Sequence, residues 1–158
     1  MKQEILSKYG NQVRIRVCGL CWQNEELLMV NHHMYKNKNF WAPPGGGVDL
    51  WERMENALKK EFLQETGLVI TVNHFRFAVE FIKHPLHAIE IFFDVNIKEG
   101  SLIRGTDPEM SAENQIIVKT EFLSMERINA IPETEKHGIF TFCKDSSDLR
   151  TMSGIYRI

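Results

Sequence analysis

A chain of 158 residues, 43% hydrophobic and 25% charged, has the length and apolar content of one globular domain spanning 1–158, since domains commonly run about 100–150 residues. A formal net charge of −2 leaves no basic footprint for nucleic acid and points instead to a small-molecule substrate. Cysteines odd in number (Cys18, Cys21, Cys143) and an opening Met1–Gly10 stretch without an apolar run argue against a disulfide framework, a signal peptide and a membrane role, so the expected location is cytoplasmic.

In chain order, Gln12 to Trp22 alternates and is rich in Val and Ile, Glu25-Glu26 interrupts, and Leu27 to Val30 is apolar, which predicts a β-hairpin. Cys18 and Cys21 have a metal-like spacing, but a strand sends side chains at that separation to opposite faces, so zinc is not expected. Arg14 and Arg16 share one face of the same strand, suited equally to solvent or to a phosphate. His32 to Phe40 is polar and basic and reads as surface loop, and Trp41-Ala42-Pro43-Pro44-Gly45-Gly46-Gly47 predicts a break in regular structure. Trp41 is a candidate for stacking on a base, against the ordinary alternative of a core aromatic.

A helix is expected from about Arg53 to Thr66, and along it Met54, Ala57, Leu58, Glu61 and Glu65 follow the three-and-four spacing of a single face. Two carboxylates on an inward stripe require a cation or a wet cleft, because burying an unpartnered charge costs several kcal/mol or more. Glu65 also precedes Gly67, a C-cap signal, where the helix dipole disfavours negative charge by roughly 0.3–1 kcal/mol. Stability does not explain it there. Beyond the helix, Val69 to His84 and Leu86 to Ile97 read as strands joined near Pro85, with His87 and Glu90 on the second near the expected cleft. Gly100 to Glu113 is turn-rich, Gln115 to Phe122 is another strand, and Ser124 is the N-cap of a short helix to Ala130. The tail from Ile139 to Ile158 carries no decisive pattern.

The segment Gly46 to Leu68 resembles the Nudix box, Gly-x5-Glu-x7-Arg-Glu-U-x-Glu-Glu-x-Gly-U with U apolar. Gly46, Glu52, Glu61, Phe62, Glu65, Gly67 and Leu68 fall on its fixed positions without a gap; Lys60 replaces the arginine and Gln64 the first glutamate of the closing pair. Phe40-Trp41-Ala42-Pro43-Pro44-Gly45-Gly46 is similar to the family's lead-in, and His87 to Phe93 with Gly105 to Glu109 is similar to members acting on nucleoside diphosphate derivatives.

The resemblance implies an α/β fold, the Nudix-type α/β/α sandwich with a mixed β-sheet, and metal-dependent hydrolysis of a nucleoside diphosphate linked to another moiety, of the ADP-ribose, nucleotide-sugar or nucleoside triphosphate class. It implies Mg2+ (or Mn2+) held by Glu61 and Glu65 with the Gly46 carbonyl nearby, and a catalytic base that is Glu61 or a later-loop glutamate, Glu109 or Glu113. Arg14, Arg16, Trp41 and Glu90 are candidate substrate contacts, and Glu52 with Lys60 would orient the helix. Lysine holds a carboxylate less rigidly than the planar guanidinium, and Gln64 removes one anionic ligand but keeps an amide oxygen, so weakening is expected rather than loss. Two other readings stay open: a catalytically weakened Nudix ligand-binding module, and isomerisation chemistry needing a cysteine and a glutamate over an apolar pocket. The family also admits a homodimer, which no stripe in this sequence specifies.

Overall fold

The computed structural model describes residues 6–7, 9–34, 38–105 and 117–158. Strand β1 (Val13–Gln23) turns at Asn24 and Glu25, both with positive φ, into β2 (Glu26–Met34), giving the expected hairpin. Short β3 (Lys38–Ala42) and β4 (Gly45–Gly47) precede the helix α1 (Met54–Thr66). Long strands β5 (Leu68–Lys83) and β6 (Leu86–Gly100) follow, then β7 (Ile117–Ser124), α2 (Met125–Ala130), two 3-10 turns, α3 (Ser146–Thr151) and β8 (Gly154–Arg157). Among the described residues the strands form one eight-stranded sheet with a main path β3-β2-β1-β6-β5-β8, with β4 paired to β1 and β7 to β2. The sheet is mixed: β1 runs parallel to β6 and β5 parallel to β8, while the other pairs are antiparallel.

Two apolar clusters lie on the two faces of the sheet, and the alternation of side chains along β1 divides between them. Val17 and Cys21 join Leu28, Ala57, Leu58 and Phe62 under α1. Cys18 and Leu20 join Phe77, Phe92, Ile128 and Leu149, closed by α2, α3 and the tail. Cys18 and Cys21 therefore do part to opposite faces. Gly19 has no Cβ because the Phe62 ring occupies that space: a Cβ would lie 2.4 Å from Phe62 Cε2.

Four expectations need correction. His32 and His33 belong to β2, which pairs with β3 and β7, so they are strand residues rather than loop surface. The glycine run does not break the sheet: residues 45–47 form β4 against β1, where a Cβ on Gly45 would meet the Val17 carbonyl oxygen at 2.1 Å, so glycine is what lets the backbones approach. Met54 is 42% exposed at the first turn, and the inward stripe is Ala57, Leu58, Glu61, Phe62, Glu65 and Thr66. The undecided tail from Ile139 on folds into the end of a 3-10 turn, α3 and β8, and it carries Phe140, Leu149 and Met152 into the interior.

Candidate active site

Helix α1 starts without a side-chain cap at Arg53; the preceding turn is held by Asp49 and Glu52, with the Asp49 amide donating to Glu52 Oε2 (3.1 Å) and the Glu52 amide to the Asp49 carbonyl (3.0 Å). Lys60, two turns on, donates to Glu52 Oε1 at 2.8 Å and lies 3.4 Å from Asp49 Oδ2. Hydrogen bonding to Glu52 raises the Lys60 ammonium above its ordinary value, so it stays charged and ties the helix to its entry loop. At the other end Gly67 adopts φ 75° and its amide caps the Leu63 carbonyl (3.0 Å). The Thr66 and Glu65 carbonyls, otherwise unpartnered at a helix end, accept from the Ile103 amide (2.9 Å) and the Gly105 amide (2.8 Å).

This frame presents two carboxylates to the β4 backbone. Glu61 is 7% and Glu65 3% exposed. Glu65 Oε2 accepts from the Gly45 amide at 3.0 Å, and His32 Nε2 lies 3.4 Å from Glu65 Oε1. Glu61 packs on Gly46 so closely that a Cβ there would lie 2.3 Å from its carboxyl carbon. Side chains that can hold a hard cation are thus Glu61 and Glu65, beside the Gly46 backbone. Among the described residues no three His, Cys, Asp or Glu side chains group as a metal cluster, so a cation held by Glu61 and Glu65 would take further oxygen ligands from outside that set. Gln64 Oε1 is a buried oxygen with no hydrogen-bond partner.

On the other face of β1 lies a second polar group. Arg16 and Glu90 are direct partners in the parallel β1/β6 register, and Arg16 Nε donates to Glu90 Oε1 at 3.2 Å. His137 Nε2 is 2.6 Å from Glu90 Oε2, while the Ile139 amide donates to His137 Nδ1 at 3.2 Å. The second bond makes Nδ1 the acceptor, which puts the proton of the neutral ring on Nε2, donating to Glu90. Burial pushes the Glu90 carboxyl up, but His137 and Arg16 outweigh it and the net shift is downward, so Glu90 is held ionised. Burial and the neighbouring Glu90 charge push the Cys18 thiol well up, with Glu65 and Glu61 adding in the same direction against Arg16. Burial likewise lifts Cys21 to about 11. Neither is the low-pKa cysteine that thiolate chemistry requires.

The candidate substrate residues divide. Arg14 stacks over the Tyr9 ring (4.0 Å to the centroid), while Arg16 is engaged with Glu90. Trp41 packs half-buried on the α2/α3-side cluster, and its carbonyl accepts from the His137 amide at 2.8 Å. Glu109 and Glu113 lie outside the described residues. His137 was not singled out by sequence: it lies between the short helix that ends at Ala130 and the tail that begins at Ile139, 47 positions from Glu90, with no local signal of the pairing.

Comparison with known proteins agrees with this geometry. A relative described as 8-oxo-dGTP diphosphatase, from Buchnera aphidicola subsp. Acyrthosiphon pisum (strain APS), is 34% identical over 71 residues, 44% of this chain and 55% of that protein. The chain thus spans about half the length of that curated relative. A NUDIX hydrolase from Nitrosomonas europaea superposes with a TM-score of 0.68 at 16% identity, covering 80% of this chain and 81% of the other. An ADP-ribose pyrophosphatase from Streptococcus suis 89-1591 gives a TM-score of 0.58 at 16% identity over 90% and 98%. A UDP-X diphosphatase gives 0.59 at 18% identity over 79% and 58%. At these identities the structures establish the shared fold. The family model for the NUDIX domain matches residues 11–141, most of the chain, and with the box helix, its glycine strand and the mixed sheet in place, this protein belongs to the NUDIX family.

Proposed function

We propose that the protein is a metal-dependent hydrolase of the pyrophosphate bond in a nucleoside diphosphate joined to another moiety. The observation that carries this reading is the burial of Glu61 and Glu65 side by side against the Gly45-Gly46 backbone, an arrangement a stable apo core would avoid. Magnesium or manganese fits this oxygen-rich pair, with the Gly46 carbonyl and the orphaned Gln64 oxygen as further hard donors. When bound, the cation supplies neutralisation of the pyrophosphate oxygens and an acidified water.

Glu65 is oriented by the Gly45 amide and His32, and the absence of a side chain at Gly46 leaves the space that the Glu61 carboxylate occupies. Proton removal from the attacking water falls to Glu61, Glu109 or Glu113. The chain flanking the last two supports their inclusion: Gly105 is anchored on the Glu65 carbonyl, and Ile117 pairs with His32, the residue that meets Glu65. Arg16 and Glu90, on the other face of β1 from Glu61 and Glu65, are kept as candidate contacts for a polar part of the substrate. Candidate substrates follow the relatives' names, namely 8-oxo-dGTP, ADP-ribose and UDP-linked compounds.

The weakened-module reading rests on Gln64 and Lys60. Lys60 retains the ion pair to Glu52, so the helix-orienting role survives the change from arginine. Hydrolysis of the three substrate types with magnesium or manganese, in wild type and in Glu61→Gln, Glu109→Gln and Glu113→Gln, tests the proposal. Loss of more than about 100-fold in kcat in Glu109→Gln or Glu113→Gln identifies that loop glutamate as the base, whereas loss in Glu61→Gln is expected of a metal ligand and of a base alike. Inactivity of the wild type on all substrates with both metals would leave the binding module.

A further inference from the structure

Helix α1 covers only part of its face of the sheet. The apolar cluster beneath it ends at Val17 on β1 and Ile91 on β6, which are partners in the parallel register, and the same face continues for two more rows. Side chains two apart on a strand share a face, so the registers set Ile15 beside Ile89 and Glu80, and Val13 beside His87 and Ile82, while Ile155 of β8 joins next to Ala78. Among the described residues no element packs on these rows: Val13, Ile15, Ile82 and Ile155 are 42–68% exposed. The described residues ahead of β1 turn the other way, since the Tyr9 ring lies against Arg14, on the opposite face of the strand.

Beside this open face stands a projection. The Val48 amide donates to the Ile15 carbonyl at 2.9 Å, so the chain leaving β4 runs along β1 toward Val13 before it enters α1. The turn that follows holds Leu50 and Trp51, 81% and 94% exposed. Trp51 has φ 70°, a left-handed conformation that a bulky side chain enters only at a cost, and at this exposure no packing within the chain repays it.

An exposed apolar face with an exposed apolar knob at its border is self-complementary: a two-fold rotation lays the knob of each copy on the face of the other. The side chains involved expose on the order of 800 Å² per chain, which is what each partner contributes to a standard interface. Charges on and around the surface are matched within the chain, Arg157 Nε lying 3.4 Å from Glu80 Oε2 and Lys60 Nζ 3.4 Å from Asp49 Oδ2. Two such surfaces meet without like-charge repulsion, whereas a nucleic acid, an anionic membrane or a strongly charged protein would find no field to follow.

We propose that this surface is the interface of a symmetric homodimer, in which Leu50 and Trp51 of each copy pack on the Val13, Ile15, Ile82 and Ile155 face of the other. The assignment does not rest on the catalytic reading above, because Glu61 and Glu65 take no part in it.

Sedimentation velocity of the full chain over roughly 1–200 μM, for wild type, Trp51→Gly and Ile82→Glu, tests this. Glycine suits φ 70°, so Trp51→Gly removes the knob while the monomer keeps or gains stability, read as Tm at the lowest concentration. Ile82→Glu probes the face separately, at a position 61% exposed in the single chain. Expected are a monomer–dimer equilibrium in wild type and a dissociation constant raised roughly thirtyfold or more in each variant. A wild type that is monomeric throughout, or a dissociation constant that either variant leaves within a few-fold of wild type, would overturn the assignment. Co-sedimentation with phosphatidylcholine vesicles, with and without phosphatidylserine, completes the test: no binding is expected, and binding that Trp51→Gly abolishes would give the surface to a lipid bilayer instead.

Discussion

Replacing Gly46 by alanine separates the site from the fold. The new Cβ would lie 2.3 Å from Glu61 Cδ and 2.5 and 2.7 Å from its two oxygens, whereas ordinary contact begins near 3.4 Å. The Glu61 carboxylate therefore has to retreat by about 1 Å, and a displacement of that size at a reacting centre costs roughly 100-fold in rate. The atoms that must move are the end of one side chain, and Gly46 is not in the left-handed region, so stability should change by less than about 1 kcal/mol. Gly45→Ala is the control, because its Cβ meets backbone, at 2.1 Å from the Val17 oxygen and 2.8 Å from Cys18 Cα. It should destabilise by several kcal/mol through separation of β4 from β1. Urea unfolding and metal-dependent hydrolysis, measured on both variants, give the comparison. Near-wild-type kcat in a fully folded Gly46→Ala protein would refute the placement of Glu61 at the reacting centre.

Three further outcomes follow from the same geometry. Glu65→Gln keeps an oxygen for the Gly45 amide and removes a buried charge, so Tm in EDTA should hold or rise while the magnesium-induced rise in Tm disappears; thermal scans with and without metal read this. Lys60→Ala should lower stability by only about 0.5 kcal/mol, since the Lys60 side chain is 36% exposed, yet slow hydrolysis more than stability suggests; Lys60→Arg should preserve both, which paired urea and kinetic measurements would show. For Glu90, the folded pKa lies below its unfolded value near about 4.3, so its contribution is present above that pH and lost as pH falls through the folded value. Glu90→Gln should therefore cost about 1–3 kcal/mol at pH 7, with the deficit shrinking below about pH 4.3 in a pH series of urea melts.

What the sequence revealed, and what it did not, follows from the range of each interaction. Glu61 and Glu65 were legible because helical periodicity is local, and Gly67 ends the helix by a conformation only glycine takes easily. Met54 shared that periodicity but sits in the first turn, where the helix has not yet reached the sheet. Strand β4 was illegible because residues 45–47 carry no side-chain pattern, and their pairing depends on β1 accepting a backbone at van der Waals limits. Arg16 and Glu90 could each be placed on a strand, but not together: the parallel pairing spans 74 positions, and neither segment encodes its partner. His137 completes that network from between two 3-10 turns, where short elements dilute any period. For the same reason His32 read as loop: its strand is defined by β3 and β7 on either side rather than by alternation of its own polar sequence.

The central claim is that buried Glu61 and Glu65 form a metal-dependent pyrophosphate-cleaving site. The most direct test is turnover of 8-oxo-dGTP, ADP-ribose and a UDP-sugar against magnesium and manganese concentration, for wild type and Glu65→Gln. The expected result is saturable metal activation on at least one substrate, with a loss of at least about 100-fold in the variant. Turnover that is independent of added metal, or unchanged by Glu65→Gln, would contradict it.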